Sequence, residues 1–152
     1  MLEKARRKMW TLRHVKKAGM GESDLLKIFN SIIRPTLEYA VPTFHPMLTA
    51  ELSDMIEAIQ KRACKIIYGW DSDYDVLVEG GMIETLQNRR ERLTKNFAVK
   101  AAASTRFAHW FKEKKKSEHN LRKEDRYEEY FARTDRMKNS PLYFMRRMLN
   151  NI

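Results

Sequence analysis

The sequence predicts an all-α protein: a small helical bundle over residues 1–105, then a partly irregular basic extension over 106–152 that ends in a short helix. Three observations carry this. Five glycines and four prolines in 152 residues are too few turn-formers for a loop-rich β domain. Leu, Met, Ala, Lys, Arg and Glu, all good helix formers, dominate the composition. Apolar residues also recur at intervals of three and four, the period of a helix face. The chain is one domain's worth, and 43% hydrophobic residues can build a core.

The elements follow in order. Residues 3–18 contain no helix breaker. Ala5, Met9, Leu12 and Val15 form their apolar face, and Gly19 suits the position after the last turn. Trp10 lies beside that face and reads as core rather than as a stacking surface. Ser23 is placed to cap a second helix, with Asp24 in its first turn. Its stripe runs through Leu25, Leu26, Phe29, Ile32 and Ile33 and continues past Pro35 into Leu37, Ala40, Val41 and Phe44. Proline removes a helical hydrogen bond and crowds the carbonyl four residues back, here that of Ser31. It also disfavours α geometry at Arg34. A break or sharp kink is therefore expected at 34–35, and Pro42 and Pro46 end the element. Thr49 caps the clearest helix, whose stripe is Leu52, Met55, Ile56, Ile59, Ala63, Ile66 and Ile67, with Gly69 as its stop. A short helix follows near Tyr74–Glu79. Another long one begins after residue 84, with Leu86, Leu93, Phe97 and Ala101 inward. Periodicity fades after about 105. It returns at Ser140-Pro141, an N-cap followed by a first-turn proline, with Leu142, Met145 and Leu149 on one face.

Thirty basic residues against twenty acidic ones give a net charge of +10. That balance favours a polyanionic partner. The charge is also segregated. The first helix carries Lys4, Arg6, Arg7, Lys8, Arg13, Lys16 and Lys17 against Glu3. Arg89 and Arg90 begin a second basic surface, with Arg92 and Lys95. From 22 to 57 acids prevail. In the run KEKKK at 112–116 a solvated basic segment is the plainer reading, and Lys114 and Lys115 are its candidates for phosphate contact. Phe107, Trp110 and Phe111 precede that run. Aromatics interleaved with cations suit bases and phosphates respectively, or else the aromatics are core.

Other chemistry is not indicated. Asp71, Asp73 and Asp75 alternate like the start of a calcium loop, but Val76 and Met82 stand where that loop needs Gly and Glu. His14, His45, His109 and His119 lack zinc-ligand spacing, and Cys64 has no second cysteine. There is no phosphate-binding glycine loop and no adjacent aspartate pair for two-metal catalysis. Arg34 and Glu38 read as a structural ion pair. No catalytic residue, metal, cofactor, small-molecule substrate or membrane span is expected. The amino-terminal stretch has no apolar signal region, so an intracellular location, nuclear or cytoplasmic, is expected.

The order of segments resembles the region after the polymerase palm in reverse transcriptases of non-LTR, LINE-like retrotransposons. The residues that carry it are Ile33-Arg34-Pro35 through Leu37-Glu38-Tyr39-Ala40, then Glu57 through Gln60-Lys61-Arg62-Ala63. TLQNRRERL at 85–93, FAHWF at 107–111 and RTDRMKNSPLYFMRRMLN at 133–150 continue it, so it covers essentially the whole chain. Phe44 departs from the usual tryptophan, and Gly80-Gly81 from a more apolar helix end. The palm and fingers, with their aspartates, are absent from this sequence. The resemblance implies that residues 1–105 are a thumb-like bundle that grips an RNA or DNA template–primer. It implies a non-catalytic piece of an RNA-directed DNA polymerase, whose protein partner would be a palm domain. A helical module that docks a palm or self-associates is the alternative.

Overall fold

The computed structural model describes residues 1–114 and 125–151, so Lys115 lies outside the described residues. The protein is all-α, as expected. Its helices are α1 (Leu2–Lys17), α2 (Glu22–Ile28), α3 (Arg34–Glu38), α4 (Val41–Phe44), α5 (Ala50–Tyr68), α6 (Tyr74–Glu79), α7 (Leu86–Ala103), α8 (Asp135–Lys138) and α9 (Pro141–Asn150). Among the described residues no strand forms; Glu113 and Tyr127 make one isolated antiparallel bridge. None of the helices is long and apolar enough to cross a membrane.

Two compact units emerge, Met1–Ala40 with Thr49–Arg89, and Val41–Leu48 with Arg90–Ile152. They divide the chain at different positions from the expected boundary near 105, because packing groups residues that are distant in sequence.

In the first unit α1 packs against α2, α3 and α5. Ala5, Met9 and Leu12 of α1 are buried, as are Leu25, Phe29, Ile33 and Leu37, and Ile56, Ile59, Ala63 and Ile67 of α5. Each fully buried Leu, Ile, Phe or Met side chain contributes about 1.5–3 kcal/mol. Thr49 caps α5 as expected, its hydroxyl accepting from the Leu52 N–H at 3.3 Å. A buried polar group ties α5 to the chain that follows. Gln60, fully buried, donates to the Tyr74 hydroxyl (2.9 Å) and the Glu84 carbonyl (2.8 Å). The Tyr74 hydroxyl donates to Glu57, which also accepts from the Leu86 N–H at 3.1 Å. Burial first, then the bond to Glu57, holds the Tyr74 phenol above its ordinary pKa.

The proline is accommodated without a break. Phe29–Ile33 widens into a π-helical turn, in which the Arg34 N–H donates to the Phe29 carbonyl, five residues back. Such turns relieve local conflicts within a helix. Arg34 keeps helical dihedrals, φ −55° and ψ −45°, so the expected displacement of the residue before proline does not occur. The helical path ends at Tyr39, and Ala40 takes a positive φ of 58°.

The second unit has a core of its own. Ala98 and Ala101 of α7, Phe111, Tyr127 and Met145 are buried, with Phe107, Trp110, Leu142 and Leu149 packed on them. Phe107, Trp110 and Phe111 are thus core residues, whereas Phe131 is 88% exposed. Arg146 donates to the Trp110 carbonyl at 2.6 Å and lies over the Tyr130 ring. Asn150 pairs with the Tyr127 backbone, accepting from its N–H (2.9 Å) and donating to its carbonyl (3.1 Å). Val41–Phe44 and His45–Met47 pack against α9.

Some expected faces shift. α2 begins at Glu22, so Ser23 lies inside its first turn and makes no cap. Ile32, Leu52 and Met55 are exposed, because the apolar stripes are wider than the surfaces that cover them. In α7 the buried line is Leu86, Arg90, Thr94, Ala98 and Ala101, and Phe97 is 38% exposed. That line keeps helical spacing but accepts an arginine and a threonine. Apolar character alone selects the neighbouring line.

Gly69 sits at φ 112°, ψ 161°, a region open essentially to glycine alone. No atom lies within 4 Å of the position an added Cβ would take. Gly69→Ala should therefore lower stability by about 1–3 kcal/mol through backbone strain alone, read as an earlier midpoint in urea unfolding.

Candidate nucleic-acid interface

The rotation of α1 decides which of its seven cations face solvent. Ala5, Met9 and Leu12 turn one side inward. Two lysines on its flank are then drawn into structure. The Lys8 ammonium donates to the Ile32 carbonyl (2.9 Å) and to the Thr36 hydroxyl (2.8 Å), beside the π turn. Lys16 donates to the Ile67 carbonyl at 2.9 Å. That carbonyl belongs to the last turn of α5, where acceptors lack helical partners and a positive charge is favoured. Lys8 and Lys16, expected as phosphate contacts, are instead helix-to-helix ties.

The other flank presents Arg6, Trp10, Arg13 and Lys17 in one line, at steps of four, three and four residues. All four are exposed. Trp10, expected in the core, is 61% exposed, because Met9 and not Trp10 takes the inward position. Its ring stacks with that of His14, centroids 3.7 Å apart. The His14 Nδ1 lies 3.0 Å from the Trp10 carbonyl, which can only accept, so Nδ1 carries the hydrogen. Lys4 is exposed. Arg7 pairs with Glu3 at 3.4 Å, but both side chains are mostly in water, so the pair is weak and separable.

Beside this line a groove of about 280 Å³ runs between α1 and α5. Met9, Met55, Ala58 and Ile59 form its apolar wall, and Arg6, Arg13 and Arg62 supply the charge. Among the described residues no carboxylate lines it. Arg6 and Arg13 are about 10 Å apart along the helix axis. Arg62 was not among the sequence candidates. The available signal was its place seven residues after Met55, one turn past the groove-facing Ala58 and Ile59.

The second expected basic surface is divided: Arg92 and Lys95 are exposed, whereas Arg89 and Arg90 are drawn inward. Arg89 donates from Nε to the Glu38 carboxylate and lies 3.7 Å from Glu84. The expected pair of Arg34 with Glu38 is thus replaced by Arg89 with Glu38. Arg34 packs its guanidinium over the Phe29 ring, 5.5 Å from the centroid. Burial first, then the neighbouring Arg89, lowers its pKa, which Glu38 and Glu84 partly restore. Arg90 is 1% exposed and is withdrawn from any surface phosphate. Burial first, then the Arg90 charge, holds the His45 imidazole below its ordinary pKa. Lys114 is exposed, and its N–H joins the antiparallel bridge by donating to the Arg126 carbonyl at 2.9 Å.

Among the described residues no group of three His, Cys, Asp or Glu side chains is placed to hold a metal. Asp73 caps α6, accepting from the Asp75 N–H at 2.9 Å. Cys64 is buried, and burial pushes its thiol up to about 11, so it is a poor nucleophile. The exposed α1 line and its groove thus set cations and one exposed aromatic ring on the same surface. No protein family, curated protein or solved structure matches the chain.

The tied lysines of α1, Lys8 and Lys16, should separate from its exposed arginines. Lys8→Ala should lower unfolding stability by about 1.5–3 kcal/mol, the range for hydrogen bonds from charged groups. Arg13→Ala, at an exposed position, should change it by less than about 0.5 kcal/mol. Parallel urea titrations of the two variants check this.

Proposed function

We propose that the chain is a non-catalytic nucleic-acid-binding module, the thumb and post-thumb portion of a non-LTR retrotransposon reverse transcriptase. Its parent protein would be an RNA-directed DNA polymerase, and its ligand the template–primer. The observation that supports this best is the groove with Arg6, Arg13 and Arg62, lined by no carboxylate among the described residues and continued by Lys17 on the exposed line of α1. The segment order that resembles the retroelement enzymes supplies the family. Contacts of this kind engage the phosphate backbone and carry little sequence preference.

Each phosphate contact removed should flatten the log–log salt dependence of binding by roughly 0.9 on duplex DNA and less on single strands. The variant Arg6→Ala/Arg13→Ala/Arg62→Ala should bind a primer–template hybrid more weakly and with a shallower slope. An unchanged slope would remove this surface from the reading.

A second reading, docking of a palm domain or self-association, is favoured by exposed Trp70, Val76 and Met82 around α6. Exposed apolar side chains that form one contiguous patch mark a protein contact. Light scattering separates the two readings, because apolar association persists at high salt and phosphate binding does not.

A further inference from the structure

We propose that the α1 surface binds nucleic acid where a base is unpaired, with Trp10 stacking on that base. This rests on the nucleic-acid reading above and narrows its ligand. A tryptophan 61% exposed on a charged helix contributes little to the core of its own unit. His14 stacks beside it, with an interplanar angle of 34°. The His14 ring is itself fixed by its bond to the Trp10 carbonyl. The indole is therefore a braced ring at the surface.

Its place in the line decides the ligand. Arg6 and Arg13 lie one turn to either side of Trp10 on the same face. A ring flanked by two guanidinium groups matches a base with a phosphodiester on each side. In a duplex the faces of paired bases are already covered by their neighbours. An indole can reach one only at a single strand, a gap or an unpaired end. Met55, the exposed part of the groove's apolar wall, offers contact to the sugar or base edge.

Fluorescence-polarisation titrations of the full chain test this, with labelled oligothymidylate, oligouridylate and a blunt DNA duplex of equal length. Trp10→Ala should weaken both single strands by at least about fivefold, the lower range for one lost base stack. It should change duplex affinity by less than about twofold. Trp10→Phe should retain most of the single-strand affinity. Because Trp10 is exposed, both variants should keep the wild-type circular dichroism. Loss confined to oligouridylate would make the ligand RNA; equal loss on both strands would make it either. If Trp10→Ala leaves single strands unchanged, or weakens strand and duplex alike, the stacking proposal is wrong. If the triple arginine variant still flattens the salt slope in that case, the nucleic-acid reading survives without it. Competition by polyglutamate as strong as by oligothymidylate would show that charge alone is recognised, and would overturn the proposal.

Discussion

Two ammonium-to-carbonyl bonds, Lys8 to Ile32 and Lys16 to Ile67, fix the helix on which the interface depends. They lie eight residues apart on α1 and tie it to two different elements. With Ala5, Met9 and Leu12 buried on the same helix, the helix has one rotation available. That rotation sends Arg6, Trp10, Arg13 and Lys17 outward together. Both acceptors are carbonyls in structurally demanding places, one beside the π turn that accommodates Pro35, the other in the last turn of α5. A lysine is well suited to both, since its long stem crosses apolar surface and its head donates to several acceptors.

The π turn therefore has a consequence beyond local geometry. It lets the chain from Glu22 to Glu38 remain helical through a proline, so Phe29, Ile33 and Leu37 stay on one buried face. A break there would separate those residues and remove the surface that Lys8 binds. Glu38, one turn further, is then in place to receive Arg89. The basic charge of the chain is thus divided by use. Some cations hold the fold: Lys8, Lys16, Arg89 and Arg146. Arg6, Arg13, Lys17 and Arg62 face solvent instead.

Much of the fold was legible because its signals are local. Thr49 and Gly69 mark the ends of α5, and Pro141 opens α9, through chemistry confined to a few residues. The inward faces of α1 and α5 followed from regular apolar spacing. Which face of α7 is buried did not, because tertiary packing chose the line through Arg90 and Thr94 over that through Leu93 and Phe97. Trp10 was misjudged for a related reason: apolarity favours burial, but the phase of α1 was already set by smaller residues. Arg6, Arg13 and Lys17 of the candidate interface were legible as part of a run of cations. The roles of Lys8 and Lys16 were not, since their acceptors are backbone carbonyls distant in sequence. Arg62 was hidden because its helix reads as a core element.

One face of the first unit, the α1 line with Arg62, is the proposed site of nucleic-acid binding. Backbone and side-chain chemical shifts of the full chain, followed on addition of a short primer–template with a single-stranded end, test it most directly. The account predicts changes at Arg6, Trp10, Arg13, Lys17 and Arg62, with Arg89 and Arg90 unmoved. Shifts centred on α7, or on the exposed apolar residues around α6, would contradict it.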